Sequence, residues 1–265
     1  LLNFSNRFRW AFCQLEALRH CLPSNVQHTL EELPESLDET YERILKEIKK
    51  PNRKHAHRIL QCLVVAARPL QVEELAEVLA VDFDDPEGVA KLKPNWRSKD
   101  AEQALLSLCT SLITIVASED SRVVQFSHFS VKEFLTSPRF ATSKGDVSHY
   151  HIALKPAHKT LGQACLGVLL RSDGKTSHLA RYAAQHWVTH AQVGDVSSSL
   201  RKPMEYLFDS DKPYFTAWLK LHDVDLHPSR RPNSESAFSL FCPPAGQKFP
   251  CTTPPSVVFT IWQNT

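Results

Sequence analysis

Between residues 101 and 128 the spacing of apolar residues changes, and no other feature constrains the fold as much. Residues 101–111, "AEQALLSLCTS", bring Leu105, Leu106 and Leu108 together at helical spacing. Residues 112–117, "LITIVA", are β-branched, and the polar turn "SEDS" follows them. In "RVVQFSH", Val124 and Phe126 then alternate with Gln125 and Ser127, the period of a half-buried strand. "FSVKEFL" returns to helix. The order is therefore helix, hairpin, helix, with His128 at the join of the last strand and the last helix.

Two more helices precede this unit. "RKHAHRILQCLVVAA" (53–67) is one, and "LQVEELAEVLAV", behind Pro69, gives the other at 71–80. Residues 83–98 hold two prolines and a glycine and read as a loop. Three helices (53–67, 71–80 and 101–111) followed by a wing at 112–128 is the winged-helix order, in a domain spanning 51–140. Upstream, residues 1–50 form a helical segment. Phe8, Phe12, Leu15, Leu18 and Leu22 share one helical face, and "NVQHTLEEL" is a short helix ending at Pro34. Ser36 with Glu39 has capping-box spacing for a helix bearing Leu37, Tyr41, Ile44, Leu45 and Ile48. Downstream, helices at 156–170 (with Pro156 in its first turn) and 179–191, and a short one at "FTAWLKL", make a helical connector over 151–222. Seven of the seventeen prolines fall in the last thirty-eight residues, so 226–265 is expected to be a poorly ordered tail. The fold class is mainly α.

Composition narrows the function. A net charge of +2 gives no whole-molecule field to draw the chain onto nucleic acid or an anionic membrane. No apolar run approaches the roughly 20 residues of a membrane-spanning helix. Seven cysteines without paired spacing suit a reducing compartment, and we expect a cytoplasmic protein. The opening Leu-Leu-Asn, without Met, leads us to expect a fragment of a longer one.

The motifs of catalysis are missing. "GVLLRSDGKTS" resembles a P-loop, but six residues separate Gly167 from Gly174 where four are needed to wrap a phosphate, so Ser172–Gly174 is read as a turn. His186 and His190 are four apart on a helix, yet Trp187 stands where a zinc protease has Glu, and packing is the reading taken. His149, His151 and His158, and the pair Cys242 and Cys251, are weaker still, and no metal is assigned. Glu73, Glu74 and Glu77 are read as a solvated face, as are Glu31, Glu32 and Glu35. No nucleophile–base pair emerges, so this chain is not expected to be an enzyme. The DNA-binding reading of a winged helix fares poorly too. The third helix offers one Lys and one Gln beside two acids, and the tip "SEDSR" has two acids for one base. It remains the alternative, as does a truncated, non-functional product.

Four stretches carry a family resemblance: "RFRWAFCQLEALRHCL", "LEELPESLDETYERIL", "FSHFSVKEFL" and "LARYAAQHWVTHA". In this order and spacing the chain, from residue 7 to about 222, resembles the region downstream of the nucleotide-binding core in fungal NACHT-type STAND NTPases. Those proteins are NLR-like relatives of immune receptors and are often followed by ankyrin repeats. The winged-helix part is also similar to that of GPI inositol-deacylase-like proteins. The resemblance implies a non-catalytic regulatory lobe, active in signal transduction such as fungal non-self recognition. It also implies that His128 contacts the β-phosphate of ADP, with Phe126, Ser130, Glu133 and Phe134 completing the motif. The competing reading is that His128 only caps or packs beneath the next helix. No cofactor is implied for this chain alone; ADP or ATP enters only with a nucleotide-binding core supplied in cis or in trans. That core is the implied protein partner, with no nucleic acid and no membrane. A first helix left bare by the missing core should expose an apolar face around Phe8–Leu22. The ankyrin cue Thr-Pro-Leu-His-x-Ala is absent from the tail.

Overall fold

The computed structural model describes residues 2–19, 21–118, 121–142, 147–171 and 177–223. The expected tail at 226–265, the turn at Ser172–Gly174 and Cys242 and Cys251 lie outside them. Helix α1 (Leu2–Arg19) and short α2 (Val26–Glu31) lead to α3 (Leu37–Glu47). Ser36 caps α3 by accepting from the Glu39 N–H at 3.2 Å, while the Glu39 carboxylate accepts from the N–H of Glu35, one residue earlier than a strict capping box. The acids Asp38 and Glu39 sit at the positive end of this helix, and its other face buries Tyr41, Ile44 and Leu45.

The winged helix follows. Helices α4 (Arg53–Val65), α5 (Val72–Glu77) and α6 (Ala101–Cys109) precede strands β4 (Ile113–Ser118) and β5 (Ser121–Phe126). The hairpin runs in register from Ile113 opposite Phe126 to Ser118 opposite Ser121. Between α4 and α5, strand β1 (Leu70–Gln71) adds a third strand, pairing Leu70 with Val124 in the order β1-β5-β4. Two residues are too few to show alternation, which is why the sequence suggested only two strands. The loop expected at 83–98 also holds more structure. Strands β2 (Val81–Asp82) and β3 (Lys91–Leu92) pair there, and Gly88 turns the chain at φ +70°.

Helix α7 (Phe129–Thr136) and short α8 (Pro138–Ala141) close the wing. In the connector, α9 (Leu154–Leu169) packs against both α4 and α10 (Ala180–Ala191). Gly167, the first glycine of the false P-loop, lies inside α9. A Cβ there would stand 2.5 Å from the carbonyl oxygen of Ala90, so its bareness lets α9 meet the backbone beside β3. Beyond α10 come α11 (Val196–Ser199), α12 (Arg201–Leu207) and α13 (Tyr214–Asp223). Trp187 of α10 is buried against Phe208 and Trp218. One core cluster extends from Tyr41 to Trp218, so helical segment, winged helix and connector share an interior. Cys13, Cys62, Cys109 and Cys165 are buried within the fold, and burial pushes the Cys62 and Cys109 thiols up to about 12, making them inert apolar fillers.

The acids of α5 correct the reading of a solvated face. Glu74 and Glu77 are both 3 % exposed. Arg68 grips Glu74 with two N–H groups at 2.6 and 2.8 Å, and the same carboxylate accepts from the Gln71 N–H. Glu77 pairs with Arg97 and accepts from the Ser177 hydroxyl at 2.6 Å and the Leu179 N–H at 2.8 Å. It thus ties the second helix of the winged helix to the entry of α10. A one-turn pattern of acids looks solvent-facing, but Arg68 just before α5 and the more distant Arg97, Ser177 and Leu179 N–H fold over it.

His190 is also accounted for. Its Nε2 lies 2.8 Å from the Tyr182 hydroxyl, and its Nδ1 lies 2.9 Å from Nδ1 of His158 on α9. The Tyr182 oxygen accepts from the Ala67 N–H at 3.0 Å. Hence Tyr182 donates to Nε2, and His190 donates from Nδ1 to His158, with every ring neutral. The His186 ring packs tilted against Tyr182 at 4.8 Å, so the pair four apart packs α10. Burial drives His190 down to about 3 and His57 to about 4. The unfolded chain binds protons on these rings below pH 6.5 whereas the folded one does not until far lower. Their contribution is therefore complete above pH 6.5 and lost as pH falls toward 3. Urea unfolding should show stability falling between pH 6.5 and 4.5, by up to about 1.4 kcal/mol per pH unit for each histidine. The slope should be shallower in His190→Asn.

Candidate functional site

Strand β5 ends at Phe126, and the chain turns through Ser127 into α7. Four hydrogen bonds hold that turn against Ser111 and Leu112, just beyond α6. The Ser127 N–H donates to the Leu112 carbonyl at 3.0 Å, the Ser127 hydroxyl donates to the Ser111 carbonyl at 2.6 Å, and Arg9 of α1 bridges both serines. Its Nη2 lies 2.8 Å from the Ser111 carbonyl and 2.7 Å from the Ser127 hydroxyl oxygen.

His128 then stands as the N-cap of α7, extended at φ −157° and ψ 148°. Its Nδ1 lies 3.3 Å from the Ser130 N–H and 2.6 Å from the Ser130 hydroxyl. The Ser130 hydroxyl lies 2.8 Å from the hydroxyl of Tyr41, a fully buried residue of α3. Histidine is an unusual cap, and here its ring nitrogen does what a Ser or Asp oxygen does elsewhere. The structure thus shows His128 capping α7 through its Nδ1.

The electrostatics of the corner are one-sided. Arg9 is 9 % exposed; its neighbours include a carbonyl, the Ser127 hydroxyl, the Tyr41 hydroxyl and the Phe12 ring at 5.3 Å, and its Nε is buried without a hydrogen-bond partner. Among the described residues no carboxylate forms an ion pair with it. Buried charge is ordinarily neutralised by an opposite one, so this guanidinium leaves a positive bias beside the positive end of α7. His128 is held below the usual imidazole value, first by burial and then by the Arg9 charge, with Glu133 acting in the opposite sense.

The five motif residues fall into different roles. Ser130 is buried and bonded to His128. Phe134 is buried between Tyr41 and Phe140, with ring centroids 5.4 and 4.3 Å away. Phe126 packs half-buried on the core, and Glu133 is exposed on the outer side of α7. Arg9 and Tyr41 were not identified as site residues from the sequence. Both lie in stretches that carried the family resemblance, but no spacing rule links them to a histidine about a hundred residues away.

Helix α1 presents an inverted amphipathic pattern. Its packed side carries Arg9, Cys13 and Gln14, whereas Phe8 is 75 %, Phe12 50 % and Leu15 66 % exposed, with Leu22 beyond the helix at 67 %. Gln14 donates to Thr40 at 3.0 Å and the Trp10 indole donates to the Pro34 carbonyl at 2.8 Å, so polar bonds seat the helix with its apolar face outward. The wing is poorly suited to phosphate. Arg122 of β5 is engaged by Glu102 of α6 and Glu73 of α5, and the exposed residues of α6 include Gln103 and Ser107. A cleft of about 440 Å³ between β3, α9 and α13 is lined by Lys91, Arg171, Tyr206 and Tyr214, among others. Among the described residues no group of three or more His, Cys, Asp or Glu is placed to hold a metal, and no helix is long and apolar enough to cross a membrane.

Comparison with known proteins places this geometry. Residues 41–146 match the family of the GPI inositol-deacylase winged helix domain. The match starts at Tyr41 and takes in His128 and all of α7. The chain is 32 % identical over 221 residues to azaphilone pigments biosynthesis cluster protein L of Monascus ruber, covering 78 % of this chain and 46 % of that protein. It therefore spans about half the length of this relative. No solved structure matches. The cap itself is open to direct measurement. His128→Ala should cost about 1 kcal/mol in urea unfolding, and His128→Asn, which keeps a capping acceptor, should recover most of that loss.

Proposed function

We propose that this chain is a non-catalytic regulatory lobe of a NACHT/ankyrin-type signalling NTPase, working in the cytoplasm, whose winged helix senses the state of a nucleotide held by a separate core. The observation that carries this reading is the corner itself. An imidazole at a helix N-terminus, beside a buried arginine that pairs with no carboxylate among the described residues, favours an oxyanion such as the β-phosphate of ADP. His128 supplies a directed hydrogen bond and Arg9 a fixed charge.

The outward apolar face of α1 supports a protein partner. Phe8, Phe12 and Leu15 form a contiguous stripe next to the helix turn that carries Arg9, so a core docked on that stripe would bring its nucleotide toward His128. The lobe then acts by population shift. ADP favours the docked, closed arrangement through the phosphate contact, and exchange for ATP weakens that contact and releases it. Fungal non-self recognition is the kind of pathway such a switch serves. DNA binding is disfavoured because the wing arginine is engaged by two acids and the third helix exposes little to read a base edge.

The test is to add this chain in trans to a separately produced NACHT nucleotide-binding core carrying fluorescent ADP. The chain should slow ADP release, and His128→Asn should reverse that effect by roughly tenfold or more, a charge-assisted bond's worth. Phe8→Glu with Leu15→Glu should abolish association. Unchanged release kinetics in the presence of a bound chain would overturn phosphate sensing. Salt-sensitive binding of duplex DNA would revive the alternative.

A further inference from the structure

The cleft beside the β2–β3 hairpin spans the winged-helix domain and the connector. Its floor comes from the winged-helix domain through Val89, Ala90 and Leu92, and from the end of α9 through Gly167 and Leu170. Val89, Ala90 and Leu92 are buried, and α9 meets the Ala90 backbone at Gly167, so the floor is apolar. The facing wall is the turn from α12 to α13, which brings Tyr206, Lys212 and Tyr214 to the cleft. Packing holds that wall in place. The rings of Phe208, Phe215 and Trp218 lie 5.4, 5.7 and 6.1 Å apart, and the Lys212 N–H donates to the Asp209 carbonyl at 3.1 Å.

The polar groups around this floor are not equivalent. Lys91 is held by Glu87 at 2.7 Å and by Asp85 at 3.2 Å, and Arg171 is engaged as well. Lys212 is exposed and forms no ion pair among the described residues, and the hydroxyls of Tyr206 and Tyr214 have no hydrogen-bond partner among them. One ammonium, which can only donate, and two phenol O–H groups therefore remain available. They border an apolar surface inside a volume of about 440 Å³, which falls in the range that holds a small organic ligand. Water would satisfy the donors but would leave the apolar floor and the two phenol faces wet.

We propose that this cleft binds a ring-bearing monocarboxylate, with Lys212 pairing with the carboxylate and Tyr206 and Tyr214 flanking the ring. A single available cation suits a single negative charge, whereas a phosphate dianion is met by an arginine fork or by several cations. Two phenol faces beside aliphatic side chains favour a flat apolar body over a sugar or a peptide. The floor belongs to the winged-helix domain and the wall to the connector, so the ligand touches both and holds them together. No residue of the His128 corner borders the cleft, and the two sites are independent.

The experiment is a titration of the nitrogen-15-labelled full chain with 2-naphthoate at low salt, followed through the backbone amide shifts. The shifts should centre on Ala90, Lys91, Gly167 and Tyr214, while the amides of Phe8, Phe12 and Leu15 on the exposed face of α1 stay in place. Lys212→Met should weaken binding by roughly threefold to fivefold, the worth of one exposed ion pair, and Lys212→Arg should restore it. The uncharged counterpart, 2-naphthamide, should bind the wild-type chain several-fold more weakly for the same reason. Tyr206→Ala should cost roughly fivefold through the lost ring contact. Lys212 and Tyr206 are both exposed, so these variants keep the fold. An absence of shifts in the cleft at millimolar naphthoate overturns the proposal, and so does equal affinity for the amide. Shifts confined to α1 overturn it as well, because they would show adsorption to bare apolar surface only.

Discussion

The hydrogen bond between Tyr41 and Ser130 joins α3 to the first turn of α7 from opposite ends of the winged-helix segment. Tyr41 is the hinge of α3, with its ring against Phe134 and its hydroxyl at the first turn of α7. An unsatisfied hydroxyl at that depth would cost about 1–3 kcal/mol, so α3 and α7 are held in one relative position rather than merely in contact. The end of the hairpin is trapped between them. Ser127 is tied to the end of α6 and to Arg9 of α1, and His128 has its inner nitrogen committed to the helix it starts. A side chain so constrained holds its ring in one orientation.

The connector uses the same device for another purpose. Tyr182, His190 and His158 also form a chain from a phenol through an imidazole, with a backbone N–H fixing its start. There both nitrogens of His190 are used inside the core and the residue has no exposure, so the relay is cement between α9 and α10. At the wing the corresponding chain joins Tyr41 and Ser130 to Nδ1 of His128, on a ring that is only half-buried. Glu77 does comparable work between the two domains, satisfying an arginine, a serine and a helix entry at once.

Much of this was legible from residue spacing. The hairpin at 112–128, the helices around it and the α3 cap follow from period and local chemistry, which act within a few residues. Failures came where partners were distant. β1 is too short to alternate, yet it completes the sheet because Leu70 meets Val124. Glu77 looked solvated because Arg97, Ser177 and the Leu179 N–H reach it only through the tertiary fold. The site divides in the same way. His128, Ser130 and Phe134 lie within one motif and could be marked together, while Arg9 and Tyr41 reach it only after α1 and α3 pack onto the wing. Chain-distant hydrogen bonds leave no periodic trace.

Helix α1 carries this argument one step further. Its apolar spacing was visible, but amphipathicity alone implies that the apolar side packs inward. Here Arg9 and Gln14 face the fold and the aromatic side faces out. Apolar burial of those exposed rings would be worth several kcal/mol on any partner, at about 25 cal/mol per Å². Polar bonds specify the seating of α1, and hydrophobic area is left for association. The helix therefore couples two surfaces through one residue. Arg9 fixes the base of the wing beside His128, and Phe12, one turn along and stacked on that guanidinium, belongs to the face that a partner would cover. That face therefore lies within one helical turn of the Arg9 charge that bears on the His128 imidazole.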